Sequence, residues 1–214
     1  MANYVANVIR ITANRKEDLE LLLKKVLSNV DYILAINKRN NNDIMDASYA
    51  VIPKEVGKVD FNILIPQPTD IFQGNTNHEI EEKHGGADMC WWEWRKKNWG
   101  TTKNAHDDSV EWLSDNEVEL SFWTDWEKPT IWLQTLAKYA LNGELGITNI
   151  AGEYANEDFG CEMGYIHINE DWYEDKENED PLCFAACDED VECYNKVWGE
   201  GMAETTGYFD NKEE

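Results

Sequence analysis

Apolar and polar positions alternate from Asn3 to Thr12, with Val5, Ile9 and Ile11 on one side, which predicts a strand. Asn14 and Glu17 then stand at capping-box spacing. Leu19, Leu22, Leu23, Val26 and Leu27 follow at helical intervals and predict an amphipathic helix with one apolar stripe. Tyr32 to Ile36 and Tyr49 to Ile52 read as short strands around the polar loop Lys38 to Asp43. Phe61 to Ile65 is an apolar run stopped by Pro66 and Pro68, which predicts a buried strand entering a loop.

The stretch Gln67 to Gly86 is polar, and Met89 to Trp99 predicts a short helix ended by Gly100. Glu117 to Trp126 alternates cleanly. Val118, Leu120 and Phe122 face inward and Glu117, Glu119 and Ser121 outward, as in a half-buried antiparallel strand. Pro129 opens a second helix with Leu133, Leu136, Ala137 and Ala140 on one face, closing at Asn142-Gly143. Ile147 to Tyr154 and Gly164 to Ile168 form a closing strand pair. The order is that of an α+β, ferredoxin-like split βαβ sandwich, an antiparallel sheet packed on two helices. It predicts a domain over residues 1–168 with an insertion around 66–115. An acidic extension over 169–214 carries one helix from Leu182 to Trp198.

Charge changes this picture most. The 214 residues hold 43 acidic against 19 basic side chains, a net charge of −24, and 16 acids against three lysines fall after Ile168. Such a surface repels phosphates, so direct nucleic-acid binding is disfavoured and a basic protein partner is favoured. Solubility alone also accounts for acidity of this kind. No run reaches the roughly 18 apolar residues of a membrane span, and the N-terminus lacks the marks of a signal peptide. Five irregularly spaced cysteines read as reduced thiols of a cytosolic protein, with Cys183 and Cys187 one turn apart in a helix.

Chemical motifs are sparse. There is no nucleophile elbow, phosphate-binding glycine loop or H-E-x-x-H. His78 and His84 lie six apart among glutamates and read as ordinary loop histidines, with a metal site as the lesser alternative, and His106-Asp107-Asp108 is a carboxylate-rich corner that needs a pocket to mean more. No cofactor or metal is expected. Trp91, Trp92, Trp94 and Trp99 surround Arg95, Lys96 and Lys97. That patch reads either as core with snorkelling cations or as a base-stacking surface. Trp123, Trp126 and Trp132 flank the turn into the second helix, as core or as an interface hot spot.

Several of these segments resemble a known family. Asn3 to Asn7, Phe61 to Pro68, Asn98-Trp99-Gly100-Thr101-Thr102-Lys103-Asn104, Thr124 to Pro129 and Phe159 to Gly164 are similar to the YubB ferredoxin-like family of phage and plasmid accessory proteins. The resemblance covers residues 1 to about 168, and its Asn-Trp-Gly-Thr element is the most specific part. Where the family has Asn-Trp-Cys and Trp-Ser-Pro-Pro, this chain has Asn3-Tyr4-Val5 and Trp126-Glu127-Lys128-Pro129. The resemblance implies the fold and a mobile-element setting, and carries no catalytic residues.

The leading expectation is an interaction protein in the host bacterial cytosol, a monomer or small homo-oligomer. Its acidity would occupy the basic face of a host protein, such as a defence component that handles nucleic acid. The residues expected to interact are Trp99, Thr101, Lys103, Asn104, Trp123 and Trp126, with Asp188, Glu189 and Asp190 in the extension. A nucleic-acid-binding module using the tryptophan patch is the first alternative. An enzyme is the second, revived by a pocket that unites His106 with Asp107, Asp108 or Lys103.

Overall fold

The computed structural model describes residues 3–28, 57–187 and 189–206 of this mixed α+β protein. The strands expected around the Lys38–Asp43 loop, and Asp188, lie outside the described residues.

The alternation at the N-terminus makes β1 (Tyr4–Ala13) the centre of a six-stranded open sheet. It pairs antiparallel with β3 (Glu117–Asp125) and with β4 (Ile147–Asn156), so that Ile9 lies opposite both Leu120 and Gly152. β2 (His106–Ser114) pairs outside β3, with register shifts after His106 and after Trp112. β5 (Met163–Ile168) pairs outside β4, and β6 (Leu182–Ala186) outside β5. The order is β2-β3-β1-β4-β5-β6, with every neighbouring pair antiparallel.

Period-two alternation gives the sheet two distinct faces. Val5, Ile9, Ile11, Val118, Leu120, Phe122 and Ile150 line the first and are at most 1% exposed. Four helices contribute to the core on that face. They are α1 (Lys16–Leu23), the single turn α2 (Phe61–Leu64), α4 (Trp91–Trp99) and α5 (Thr130–Ala140). Phe61 fills the centre, with its ring centroid 4.7 Å from that of Trp132, 5.7 Å from Trp99 and 5.8 Å from Phe122. A further short helix, α3 (His78–Lys83), lies in the preceding loop.

The second face is covered by α6 (Val191–Trp198), whose Cys193 and Tyr194 form a smaller cluster with Ala155, Phe159, Met163 and Ala203. Beside α6 the face is polar. Arg10 donates to Glu119 at 2.8 Å and to Glu153 at 3.1 Å, and Lys196 of α6 stands 3.6 Å from Glu153.

The expected elements at Tyr4–Ala13, α1, α4, β3, α5, β4 and β5 are present. Four local readings are corrected. Phe61–Leu64 is a helix, because Asp60 caps it by accepting from the Asn62 N–H at 3.0 Å. Asn14 caps nothing: its N–H still donates to Gly146 at the sheet's end, so α1 starts after Arg15, which makes no side-chain cap. Leu182–Trp198 is a strand and a helix, because β5 offers an open edge and Asp190 caps a fresh helix through the N–H groups of Glu192 and Cys193. Cys183 is therefore on a strand and Cys187 follows it, rather than both packing in one helix. β2 escapes sequence reading because only Val110 and Trp112 turn inward from an otherwise polar run.

Candidate functional site

The segment from Trp99 to Asn104 is a structural clamp. Trp99 is fully buried and its indole N–H donates to the Ile65 carbonyl at 3.0 Å. Gly100 ends α4 with φ 88° and packs against the start of α5. Buried Thr101 donates its hydroxyl to the Asp125 carbonyl at 2.8 Å. The Asn104 side chain accepts from the Phe61 N–H and donates to Asp60, both at 2.8 Å. With its neighbours committed in this way, the Lys103 side chain reaches across to the end of β3.

There the Lys103 ammonium lies 2.5 Å from Asp125 Oδ2, and His106 Nε2 lies 3.0 Å from Oδ1 of the same carboxylate. Asp125 is 1% exposed; His106 bonds its Oδ1, while Oδ2 has the Lys103 charge beside it and no hydrogen bond of its own. His106 Nδ1 stands 3.2 Å from Asp107, which sits at φ 47° where β2 shifts register. Tyr4, opposite Asp125 in the sheet, meets His106 edge-on at 5.3 Å and stacks on Trp123 at 5.7 Å. Trp123 continues to Trp198 of α6 at 5.1 Å.

Arg95 of α4 completes the site. Its guanidinium lies 5.1 Å from the Trp91 ring centre and 5.3 Å from that of Trp99. Nε and Nη2 donate to Gln67 Oε1, and Nη2 also donates to Gln73. Burial draws its pKa down from the ordinary value. Tyr4, Arg95, Lys103, Asn104, His106 and Asp125 together line a cleft of about 400 Å³ at one end of the sheet.

Of the predicted residues, Lys103 and Asn104 line this cleft, while buried Trp99 and Thr101 and the Trp123 ring stand behind Arg95, Asp125 and Tyr4 respectively. Trp126 follows Asp125 at φ 70° and is 51% exposed. The His106-Asp107-Asp108 corner divides, since Asp108 turns away to accept from the Val59 N–H at 2.7 Å, and burial pushes its pKa up. Glu189 and Asp190 stand at the start of α6. Asp190 is held below the usual carboxylate range by the Cys193 N–H and the Tyr165 hydroxyl. His78 pairs with Glu82 at 3.6 Å and His84 stacks on Phe72 at 4.2 Å. Among the described residues, no group of three or more His, Cys, Asp or Glu side chains is arranged to hold a metal ion.

Comparison with protein-family models, with curated proteins and with solved structures found no match.

The tryptophan patch has its cations engaged. Arg95 covers Trp91 and Trp99, Lys96 faces Glu127 at 3.8 Å, and Lys97 faces Asp88 at 3.1 Å. Sequence reasoning missed Tyr4 and Asp125 as partners of Lys103 and His106, and Arg95 as a neighbour in the same cleft. The one available signal was a charged residue, Asp125, at the end of the alternating strand just after Phe122-Trp123-Thr124.

A second surface lies at the other end of the sheet, between β5 and β6. The Asn169 N–H donates to the Pro181 carbonyl at 2.9 Å and closes an excursion from which Trp172, 3% exposed, plugs back into the core. Gln134 of α5 fixes its base, donating to the Leu182 carbonyl at 2.8 Å and accepting from the Leu182 N–H at 3.0 Å. Glu170, Asp171, Glu174, Asp175, Glu177, Glu179 and Asp180 are all exposed on this loop.

Proposed function

We propose that the protein is a phage or mobile-element accessory protein that presents its acidic surface to a basic, nucleic-acid-handling host protein. The observation that carries this reading is the loop from Glu170 to Asp180. It holds seven exposed carboxylates and one lysine on a base pinned by Trp172 and Gln134. Carboxylates fixed on an ordered base lose little entropy on binding and can stand where phosphates would, and their field raises the association rate.

The mobile-element setting rests on the resemblance of the Asn98–Asn104 and Thr124–Pro129 segments to the YubB family. A ferredoxin-like core is supported by the order β2-β3-β1-β4 with α1 and α5 on one face. β5, β6 and α6 would then be additions to that core.

The test is affinity capture from a bacterial lysate, eluted along a salt gradient and repeated in the presence of duplex DNA. A variant with the seven loop carboxylates changed to Asn or Gln serves as comparison. A basic nucleic-acid-binding protein that is released by moderate salt, displaced by DNA and lost with the variant supports the reading. Capture that survives about 1 M salt, where exposed charges are screened within about 3 Å, sinks it.

A second reading, catalysis, is favoured by the cleft that unites His106 with Lys103, with Asp107 beside the imidazole. It asks for a base, yet both His106 ring nitrogens face carboxylates in the arrangement observed. That geometry suits binding better than proton transfer.

A further inference from the structure

We propose that the cleft at the β1–β2–β3 end of the sheet binds the oxyanion of a small molecule, a phosphate monoester or a carboxylate. This inference is independent of the acidic loop, which leaves the opposite end of the sheet between β5 and β6.

The first support is the charge gathered there. In a chain of net charge −24, the cleft is lined by two cations, Arg95 and Lys103, and by the His106 ring against one lining carboxylate, Asp125, with Asp107 behind the ring at 3.2 Å. That carboxylate is almost wholly buried and already engaged by Lys103 and His106, so it presents little of itself to the opening.

The second support is Arg95. Among the described residues no carboxylate lies within ion-pair distance of it, and no hydrogen bond engages Nη1. Its other edge is held by two glutamine side-chain oxygens and its plane lies near two indoles, so the orientation is set before any ligand arrives. A half-buried guanidinium given only neutral partners is less well solvated than in water, as its lowered pKa reflects. With Nε and Nη2 given to the glutamines, an oxyanion would meet Arg95 end-on at Nη1, supplying the missing countercharge through a charge-assisted hydrogen bond.

The remaining groups fit the same ligand. The Lys103 side chain lines the cleft and is 55% exposed, so its ammonium keeps solvent-facing hydrogens beside Asp125. Tyr4 lines the wall with a hydroxyl able to donate. A volume of about 400 Å³ accommodates a mononucleotide or a small polycarboxylate. Thr101 and Asn104 act as positioning residues, because their bonds to the Asp125 carbonyl and to Phe61 fix the loop that carries Lys103.

The test is isothermal titration calorimetry of the full chain with three probes at low salt: inorganic phosphate, AMP and citrate. Saturable one-to-one binding of at least one probe is expected. Phosphate and AMP report the monoester source, and citrate the carboxylate source. Arg95→Gln should weaken that binding at least about 10-fold, and Lys103→Gln several-fold. Arg95→Lys keeps the charge but loses the glutamine anchors that aim Nη1, and should fall between wild type and Arg95→Gln. If Arg95→Gln melts well below wild type, the Arg95→Lys and Lys103→Gln titrations decide the matter. The proposal is overturned if none of the probes binds up to about 10 mM, or if Arg95→Lys and Lys103→Gln both bind as wild type does.

Discussion

Gly100 and Thr130 meet backbone to backbone: a Cβ on Gly100 would lie 2.7 Å from the Thr130 nitrogen. Gly100 also stands at φ 88°, where an L side chain is strained. Gly100→Ala should therefore cost about 2 kcal/mol or more, the strain and the contact acting together. Urea denaturation would measure it. A loss below about 0.5 kcal/mol would mean that α4 and α5 separate easily.

Arg10 offers a test on the other face. Glu153 has a side-chain exposure of only 8% and depends on Arg10, with Lys196 farther away. Arg10→Met leaves that carboxylate half-compensated and should destabilise by about 2 kcal/mol. Pairing it with Glu153→Gln in a double-mutant cycle should return a non-additive term, because the neutral amide no longer needs the cation.

Gln134 substitutes for a neighbouring strand by satisfying both backbone groups of Leu182. Gln134→Leu would strand a buried donor and a buried acceptor, at a cost of about 1–3 kcal/mol for each. Amide hydrogen exchange should show faster exchange at Leu182 and in the Asn169–Pro181 excursion, with α1 unaffected.

Acid should weaken the hold on α6. The Asp190 carboxyl is depressed in the folded chain, so its contribution is complete above the unfolded-state value near 4 and is lost as pH falls through the folded value. Asp190→Asn keeps a capping oxygen without the charge. The stability gap between it and wild type should narrow steadily below about pH 4. Asp190→Ala should cost about 1 kcal/mol at neutral pH.

How much of this could be read from the chain depends on how local each signal is. Val118, Leu120 and Phe122 announce β3 because alternation needs no partner to be visible. Phe61 to Leu64 misleads because four apolar-rich residues fit a strand or a helical turn equally well, and only the Asp60 cap separates them. Leu182 to Trp198 misleads because the edge of β5 that captures Leu182 is set by residues elsewhere in the chain. The Asn98–Asn104 segment stood out by resemblance, yet Trp99, Thr101 and Asn104 spend their side chains on the fold. Lys103 finds Asp125 and His106 only because strands far apart in sequence end side by side, which no spacing rule encodes.

The cysteines should report the same architecture. No disulfide joins them; Cys161 is exposed, while Cys90 and Cys193 are buried. Burial, with the neighbouring Cys187 thiol, pushes the Cys193 pKa up, and burial does the same for Cys90. With a thiol reagent near pH 8, Cys161 should label at once, and Cys90 and Cys193 only after denaturation. Early labelling of Cys193 would show α6 lifting from the sheet.

The open sheet has a consequence for how the molecule tolerates crowding by its own copies. An unpaired strand edge invites another chain to add to it, and growth of that kind ends in fibrils. Among the described residues the margins of the sheet are β6, only five residues long, and β2, which is broken by two register shifts and carries Asp107, Asp108 and Glu111. Each margin is thus too short or too irregular to template a newcomer, and β2 is charged as well. Protonating those carboxylates would remove part of that protection. The chain should therefore stay dispersed at neutral pH even at high concentration, and begin to associate through its margins in acid.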